Sequence, residues 1–310
     1  MLEVIDLKKD YKKTKAIKNM NLFLEKGESI GLLGPNGAGK STAISIISSL
    51  LKPTGGEVRL FGENVVKNPK PLRKIVGVVP QDIALYAELS ALDNLMFFGK
   101  LYKIQQQVLI KRVDEVLKLV GLTDRKKEQV KAFSGGMKRR LNIAVALLHQ
   151  PELLIMDEPT VGIDPQSRNY ILELVRKLQR EENMTAIYTS HYMEEVELVC
   201  DRVYIMDHGD LIASGTISEL KALLSTEQTI EMKLMKPNAK LFNRLEQISP
   251  LQVTQLSEVD YKIIAPKANH YFEFLSGEAS QVGARIQALE IKSPTLEDVF
   301  LHLTGRKLRD

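Results

Sequence analysis

Apolar positions change their spacing several times along this chain, and each change marks an element. Residues 2–6, 22–25 and 57–61 alternate apolar with polar, which predicts half-buried strands. Gly27-Glu28 and Lys52-Pro53-Thr54-Gly55-Gly56 form the turns beside them. Ser29-Ile30-Gly31-Leu32-Leu33 and Ile75-Val76-Gly77-Val78-Val79 are continuous apolar runs, the mark of strands buried on both faces. From Ala91 to about Val120 the spacing turns helical, through Leu92, Leu95, Met96 and Phe98 and then Val113, Val116, Leu117 and Val120. A helix follows from Ser134 through Leu148, and then an apolar strand at Leu153–Met156. A helix from about Pro165 to Glu181, a strand at 186–189, a helix from His191 to Val199 and a strand at 203–206 complete the alternation. Such a pattern predicts an α/β fold with a mainly parallel sheet covered by helices, N-terminal antiparallel strands and an inserted helical subdomain at about 85–150.

Near Leu224 the character changes. The pattern predicts strands at 228–235, 251–256, 259–265 and 284–291, with helices at 238–247, 267–277 and 295–304. The order β-α-β-β-α-β-α fits a small ferredoxin-like α+β domain, a split β-α-β unit plus one helix. The expected division is therefore 1–224 and 225–310.

Composition narrows the class. The chain has 310 residues, enough for one large domain and a smaller one. Its single cysteine, Cys200, can make no internal disulfide, which points to a reducing compartment and to a small buried hydrophobe. The N-terminus lacks the basic and apolar regions of a signal peptide, and no window approaches the roughly 18 apolar residues of a membrane span. A net charge of +4 is too mild to indicate nucleic acid.

The candidate chemistry starts where the first buried strand ends. Gly34-Pro35-Asn36-Gly37-Ala38-Gly39-Lys40-Ser41-Thr42 joins that strand to a helix. Strand, glycine loop, Lys, hydroxyl and helix is the context of a phosphate-binding loop. The glycines let several N–H groups converge on one anion, and the helix N-terminus adds partial positive charge. In that role Lys40 reaches the terminal phosphates and Ser41 places its hydroxyl on a magnesium ion. The partner carboxylate is Asp157, delivered at the C-terminal end of an apolar strand, where ligands of parallel sheets gather. Glu158 projects differently and is placed to orient the attacking water. Read alone, Asp157-Glu158-Pro159 is also compatible with a plain turn, although the four apolar residues before it favour the carboxylate reading, and Ser134-Gly135 reads as an ordinary capped helix start.

Taken together, Gly34 to Thr42, Gln81, Phe133-Ser134-Gly135-Gly136, Leu153 to Glu158, Gly162-Ile163-Asp164 and His191 have the order and spacing of an ABC-type ATP-binding cassette. The sequence resembles the ATPase subunits of ABC transporters over residues 1 to about 220. That resemblance implies a head-to-tail dimer, each ATP lying between one subunit's phosphate loop and the other's Ser134, Gly135 and Gly136. It further implies that His191 contacts the γ-phosphate, that Gln81 touches magnesium and the attacking water, and that Asp164 spans the dimer interface. Tyr11, in a loop among Lys8, Lys9, Lys12, Lys13 and Lys15, takes the place of the aromatic under adenine; by sequence logic alone it is as well a surface tyrosine. Two departures stand out. Met137 occupies the place of the usual signature Gln, which removes an amide near the ribose, and Ile163 replaces a Leu at little cost in volume.

Only 52 residues separate Gln81 from Ser134, too few for the coiled-coil insertion of ABC-type DNA repair proteins, and there is one cassette rather than a tandem pair. The stretch from Phe133 to Leu141 and the C-terminal run from Ser293 to Gly305 resemble the bacterial drug-exporter branch related to daunorubicin-resistance ATPases. This implies an ATP- and Mg2+-dependent hydrolase that energises a separate membrane permease for export of a drug, antibiotic or other amphipathic substrate. The expected location is cytoplasmic, on the inner face of the membrane, paired with a second cassette in a homodimer or heterodimer. A soluble ABC-type ATPase acting as a mechanical switch on a ribosome or nucleic acid is the alternative. Tyr86, Leu89, Phe97 and Phe98 are expected to serve partly as core and partly as a groove for a permease helix. Residues 225–310 are expected to form a regulatory or dimer-stabilising module.

Overall fold

The computed structural model describes residues 1–310 apart from 13, 225–226, 268–269, 293 and 306–310, so Lys13 and Ser293 lie outside the described residues. The chain divides into two compact units at Ile217/Ser218, seven residues before the change of pattern at Leu224.

The first unit begins with β1 (Leu2–Tyr11) and β2 (Thr14–Leu24), an antiparallel pair in which Leu2 faces Leu24 and Tyr11 faces Thr14. The strand runs five residues past the expected 2–6. Asp6 adopts φ 47, the register shifts between Val4 and Leu7, and the buried positions move from Leu2 and Val4 to Leu7. A bulge of this kind breaks the two-residue period while the ladder continues. Tyr11 therefore ends a strand and is not part of a loop.

There follow β3 (Ser29–Leu33), α1 (Lys40–Ile47), β4 (Gly55–Leu60), the two-residue β5 (Glu63–Asn64), α2 (Lys70–Ile75) and β6 (Val76–Val79). The inserted helices are α3 (Ala91–Leu101), α4 (Gln106–Leu119) and α5 (Gly135–Leu147). Lys103, at φ 59, breaks the expected single helical block in two. The core resumes with β7 (Leu153–Asp157), α6 (Pro165–Glu182), β8 (Thr185–Thr189), α7 (Met193–Val199), β9 (Arg202–Asp207) and β10 (Asp210–Thr216); α8 (Ile217–Ala222) straddles the division.

Ten strands form one sheet in the order β5-β4-β1-β2-β10-β9-β3-β8-β7-β6. The five from β9 to β6 are parallel, while β5, β4, β1 and β2 pair antiparallel. Every residue of β3, β7 and β8 is buried, as helices on both faces of a parallel sheet require. One consequence governs the chemistry: the ends of β3, β6, β7 and β8 share the sheet's C-terminal edge. Cys200 is buried, and that burial pushes its thiol far above the usual range.

The second unit comprises β11 (Glu227–Leu234), α9 (Ala239–Glu246), β12 (Gln252–Gln255), β13 (Asp260–Pro266), α10 (Tyr271–Gln281), β14 (Ile286–Lys292) and α11 (Leu296–Thr304). Its sheet runs β12-β13-β11-β14 with antiparallel neighbours, the order that a split β-α-β unit takes. Ile230, Met232, Tyr261 and Ile263 form a core with Leu241, Leu245 and Leu275. Lys262, between two core residues, points to the other face and pairs with Asp298 of α11. Among the described residues no helix is long and apolar enough to cross a membrane.

Candidate functional site

The loop after β3 owes its shape to glycines. Gly37 and Gly39 have φ 81 and 108, and a Cβ on Gly39 would lie 2.4 Å from the Ala16 carbonyl oxygen. Lys40 opens α1 with only 5% of its surface exposed, and its Nζ donates to the carbonyls of Gly34 (2.7 Å) and Pro35 (3.2 Å). Burial lowers the ammonium's pKa, opposed by the nearby carboxylates of Glu158 and Asp157. Ser41 is exposed in the first turn of α1, with Thr42 half-buried beside it.

β7 and β8 pair Asp157 with Thr189. The Thr189 hydroxyl donates to Asp157 Oδ1 (2.7 Å) and accepts the N–H of Glu158 (2.9 Å). Held in this way, Glu158 takes φ 48, a left-handed conformation that a side chain this long rarely adopts. The twist turns its carboxylate into a cluster. Oε2 accepts from Gln81 Nε2 at 2.8 Å, while Oε1 lies 2.7 Å from His191 Nε2 and 4.0 Å from Lys40 Nζ. Lys40, Gln81 and His191, spread over 152 positions of the chain, thus converge on the Glu158 carboxylate at the end of the sheet, with Asp157 the residue before it. His191, expected to face a phosphate, lies here on Glu158.

A second group forms on the surface. Ser134 caps α5, accepting the N–H of Met137 (3.2 Å). Asp164 caps α6, accepting the N–H of Ser167 (2.9 Å); that bond and one to the Ser167 hydroxyl hold its carboxyl below the usual range. Gly136 packs so closely on α6 that a Cβ there would meet Ser167 Oγ at 1.9 Å, and Gly135 lies against Gly162 and Ile163. Ser134, Gly135 and Asp164 are therefore exposed neighbours on one patch, with Gly136 buried beside them against α6. Tyr11 is half-exposed, with Lys9 Nζ 5.3 Å from its ring centre.

The sequence reading missed two supports. One is Thr189, whose hydroxyl ties Asp157 to the Glu158 backbone. Arg139 of α5 is buried and its guanidinium donates to the carbonyls of Pro80 (2.6 Å) and Gln81 (2.5 Å), tying the capped helix to the Gln81 segment. Its only sequence signal is a cation on the face that carries Gly136 and Ile143.

An acidic carboxylate (Asp157), a hydroxyl (Ser41) and an amide oxygen (Gln81) are a donor set suited to a hard cation such as Mg2+, and the glycine loop with Lys40 suits the phosphates beside it.

A family model described as ABC transporter matches residues 17–161. The linearmycin resistance ATP-binding protein LnrL of Bacillus subtilis is 47% identical over 312 residues, with the whole of both chains covered. The daunorubicin/doxorubicin resistance ATP-binding protein DrrA of Streptomyces peucetius is 32% identical, covering 100% of this chain and 94% of the other. Among solved structures, the dimeric post-hydrolysis state of the ATP-binding cassette MJ0796 with ADP and Pi matches with a TM-score of 0.64 at 29% identity. It covers 70% of this chain and 98% of that one. Motif order, sheet topology and similarity along the full length agree: the chain belongs to the ATP-binding subunits of ABC transporters.

Proposed function

We propose that this ATPase subunit energises a separate membrane permease that exports an antibiotic or similar amphipathic molecule. The observation that carries the proposal is the cluster on Glu158, joined to the full-length similarity to resistance proteins. Cleaving the terminal phosphate demands positioning and charge neutralisation more than covalent chemistry. Lys40 and the N–H groups of the glycine loop hold the β- and γ-phosphates. Glu158 orients the attacking water and accepts its proton. Gln81 and His191 fix the Glu158 carboxylate from both sides, and His191 is the group that turns toward the γ-phosphate. Asp157, Ser41 and Gln81 would hold Mg2+, which supplies neutralisation of phosphate charge when bound. The patch of Ser134, Gly135, Gly136 and Asp164 meets the ATP held by a second cassette, with helix N-termini presented to its phosphates.

Tyr86, Phe97 and Phe98 support the permease half of the reading. Tyr86 and Phe97 are substantially exposed, yet the three rings pack together with centres 5.0, 5.4 and 6.1 Å apart. An exposed aromatic cluster on the helical insertion suits a docking permease helix. Residues 225–310 act as a regulatory or dimer-stabilising module.

Two experiments test the reading. The Glu158→Gln variant binds ATP and turns it over about 10²–10⁴-fold more slowly; wild-type turnover would remove Glu158 from its role. Tagged Glu158→Gln protein purified from its native membrane with MgATP brings a polytopic membrane protein, which is lost when Lys40 is also changed to Ala. Ribosomal proteins or nucleic acid in its place overturn the transport claim.

A further inference from the structure

Among the buried ionisable groups outside the cluster on Glu158, Glu195 makes four close contacts. Glu195, in the first turn of α7, is fully buried. Its Oε2 accepts three hydroxyls: Thr160 Oγ1 at 2.7 Å, Ser190 Oγ at 2.7 Å and Tyr188 Oη at 2.9 Å. Its Oε1 lies 2.6 Å from Arg168 Nε. Thr160, Tyr188 and Ser190 are themselves at most 2% exposed.

A buried carboxylate is costly, and apolar side chains of similar volume often fill such a place with no loss of stability. What distinguishes this one is where its partners sit. Thr160 is two residues past Glu158. Ser190 immediately precedes His191, and its Oγ also accepts the N–H of Tyr192, so one hydroxyl brackets the histidine on both sides. Arg168 lies one turn into α6, the helix that Asp164 caps, and its guanidinium stacks 4.3 Å from the centre of the Tyr192 ring. Both neighbours of His191 are therefore tied, directly or through Arg168, to the same carboxylate that holds the loop after Glu158.

We propose that Glu195 is a positioning residue for ATP hydrolysis, a single anchor that fixes the segments carrying Glu158, His191 and Asp164 relative to one another. The proposal rests on the roles given above to Glu158 and His191. Its effect is on geometry at the reacting end: the 2.7 Å approach of His191 to Glu158 depends on the Ser190–Tyr192 turn that Glu195 holds. ATP affinity, set by the glycine loop and Lys40, lies outside its reach.

Glu195→Gln keeps the length and shape of the side chain and replaces one acceptor with a donor. The expected result is a kcat about 10–10²-fold lower, the loss that a small misplacement causes. ATP affinity stays within about twofold, because binding common to ground and transition states is untouched. Two further variants hold if Glu195→Gln does not fold. Ser190→Ala cuts the tie to His191 and lowers kcat with ATP affinity kept within about twofold; Tyr188→Phe removes one hydroxyl from Glu195 but leaves the Ser190 and Thr160 ties, so it lowers thermal stability with a smaller loss of kcat. Wild-type kcat in Glu195→Gln would overturn the proposal, as would Ser190→Ala and Tyr188→Phe that lose stability alike with neither lowering kcat relative to ATP affinity. Glu158→Gln measured in parallel separates the two layers: if it turns over normally the site reading fails, and if it is slow while the others match wild type only the role of Glu195 fails.

Discussion

Thr189→Val puts the geometry of the site to its hardest test, because it changes no charge and hardly any shape. Thr189 is fully buried, and its hydroxyl links the Glu158 N–H to the Asp157 carboxylate. Valine leaves that N–H buried and without its partner, at about 1–3 kcal/mol. It also removes a hydrogen bond to a charged group, worth about 1.5–3 kcal/mol. The added methyl returns about 1 kcal/mol through burial of apolar surface. Since the two losses share one hydroxyl and do not fully add, the net destabilisation is about 2–4 kcal/mol. Thr189→Ser keeps both bonds and gives up one methyl, so it costs about 1 kcal/mol. Activity should separate the pair more widely than stability does, because Glu158 is held at φ 48 by that one N–H bond on its own backbone. Released, it relaxes toward a negative φ and its carboxylate leaves Gln81 and His191. Denaturant unfolding and steady-state ATP hydrolysis measure both quantities, and the expected order is wild type, then Ser, then Val. A valine variant as stable and active as the serine one would show that the hydroxyl does not set the conformation of Glu158.

Two further expectations concern other parts of the first unit. Gly136→Ala forces a Cβ into Ser167 and costs about 1–3 kcal/mol, with part of the loss recovered by adding Ser167→Gly; thermal melts of the single and double variants decide it. His149 stacks on Tyr102 with ring centres 4.0 Å apart, and Nε2 meets the Val76 carbonyl oxygen at 3.0 Å. Burial lowers its pKa in the folded state, Arg112 adding to the effect and the Val76 bond opposing it. The unfolded chain then binds the proton more readily, so the stability due to neutral His149 is complete above about pH 6.5 and falls away as the pH drops through the folded pKa. His149→Phe keeps the stack and should flatten the acid side of a Tm–pH curve; an unchanged slope would assign the acid sensitivity elsewhere.

The pattern of the chain made some of this visible and hid the rest for definite reasons. β3, β7 and β8 are buried along their whole length, so their apolar runs and the motifs at their ends stand out. β10 alternates between half-buried and exposed positions without a strong apolar face, and nothing in Asp210–Thr216 announces a strand. The break between α3 and α4 depends on the backbone of Lys103, a residue of no special composition. Lys40, Asp157 and Glu158 could be named because they follow a glycine loop or lie at the end of an apolar strand, whereas Gln81 and His191 are legible only through the family resemblance. Thr189, Arg139 and Glu195 could not be named, since each draws its importance from partners that only the folded sheet brings near. A glutamate in Met193-Glu194-Glu195-Val196 reads as a solvated helix residue, and Glu194 is one. Glu195, the next residue, faces the interior.

The great sheet is continuous by strand order, yet β2 and β10 meet through a single residue pair, Asp210 with Asn19. Beyond that pair the seam is bridged by the Lys18 ammonium on Asp210 (2.7 Å), Lys18 N–H to the Gly209 carbonyl, Gly209 N–H to the Ala38 carbonyl, and Gly39 pressed on Ala16. Two of those contacts belong to the phosphate-binding loop itself. One apolar core, from Leu2 and Leu22 to Leu153 and Ile187, runs beneath both parts, so the thin backbone seam is a weak line within a single packed body, and it lies where the nucleotide's phosphates are gripped. A ligand that stiffens the loop also stiffens the seam, so occupancy of the site raises the cost of opening the sheet along it.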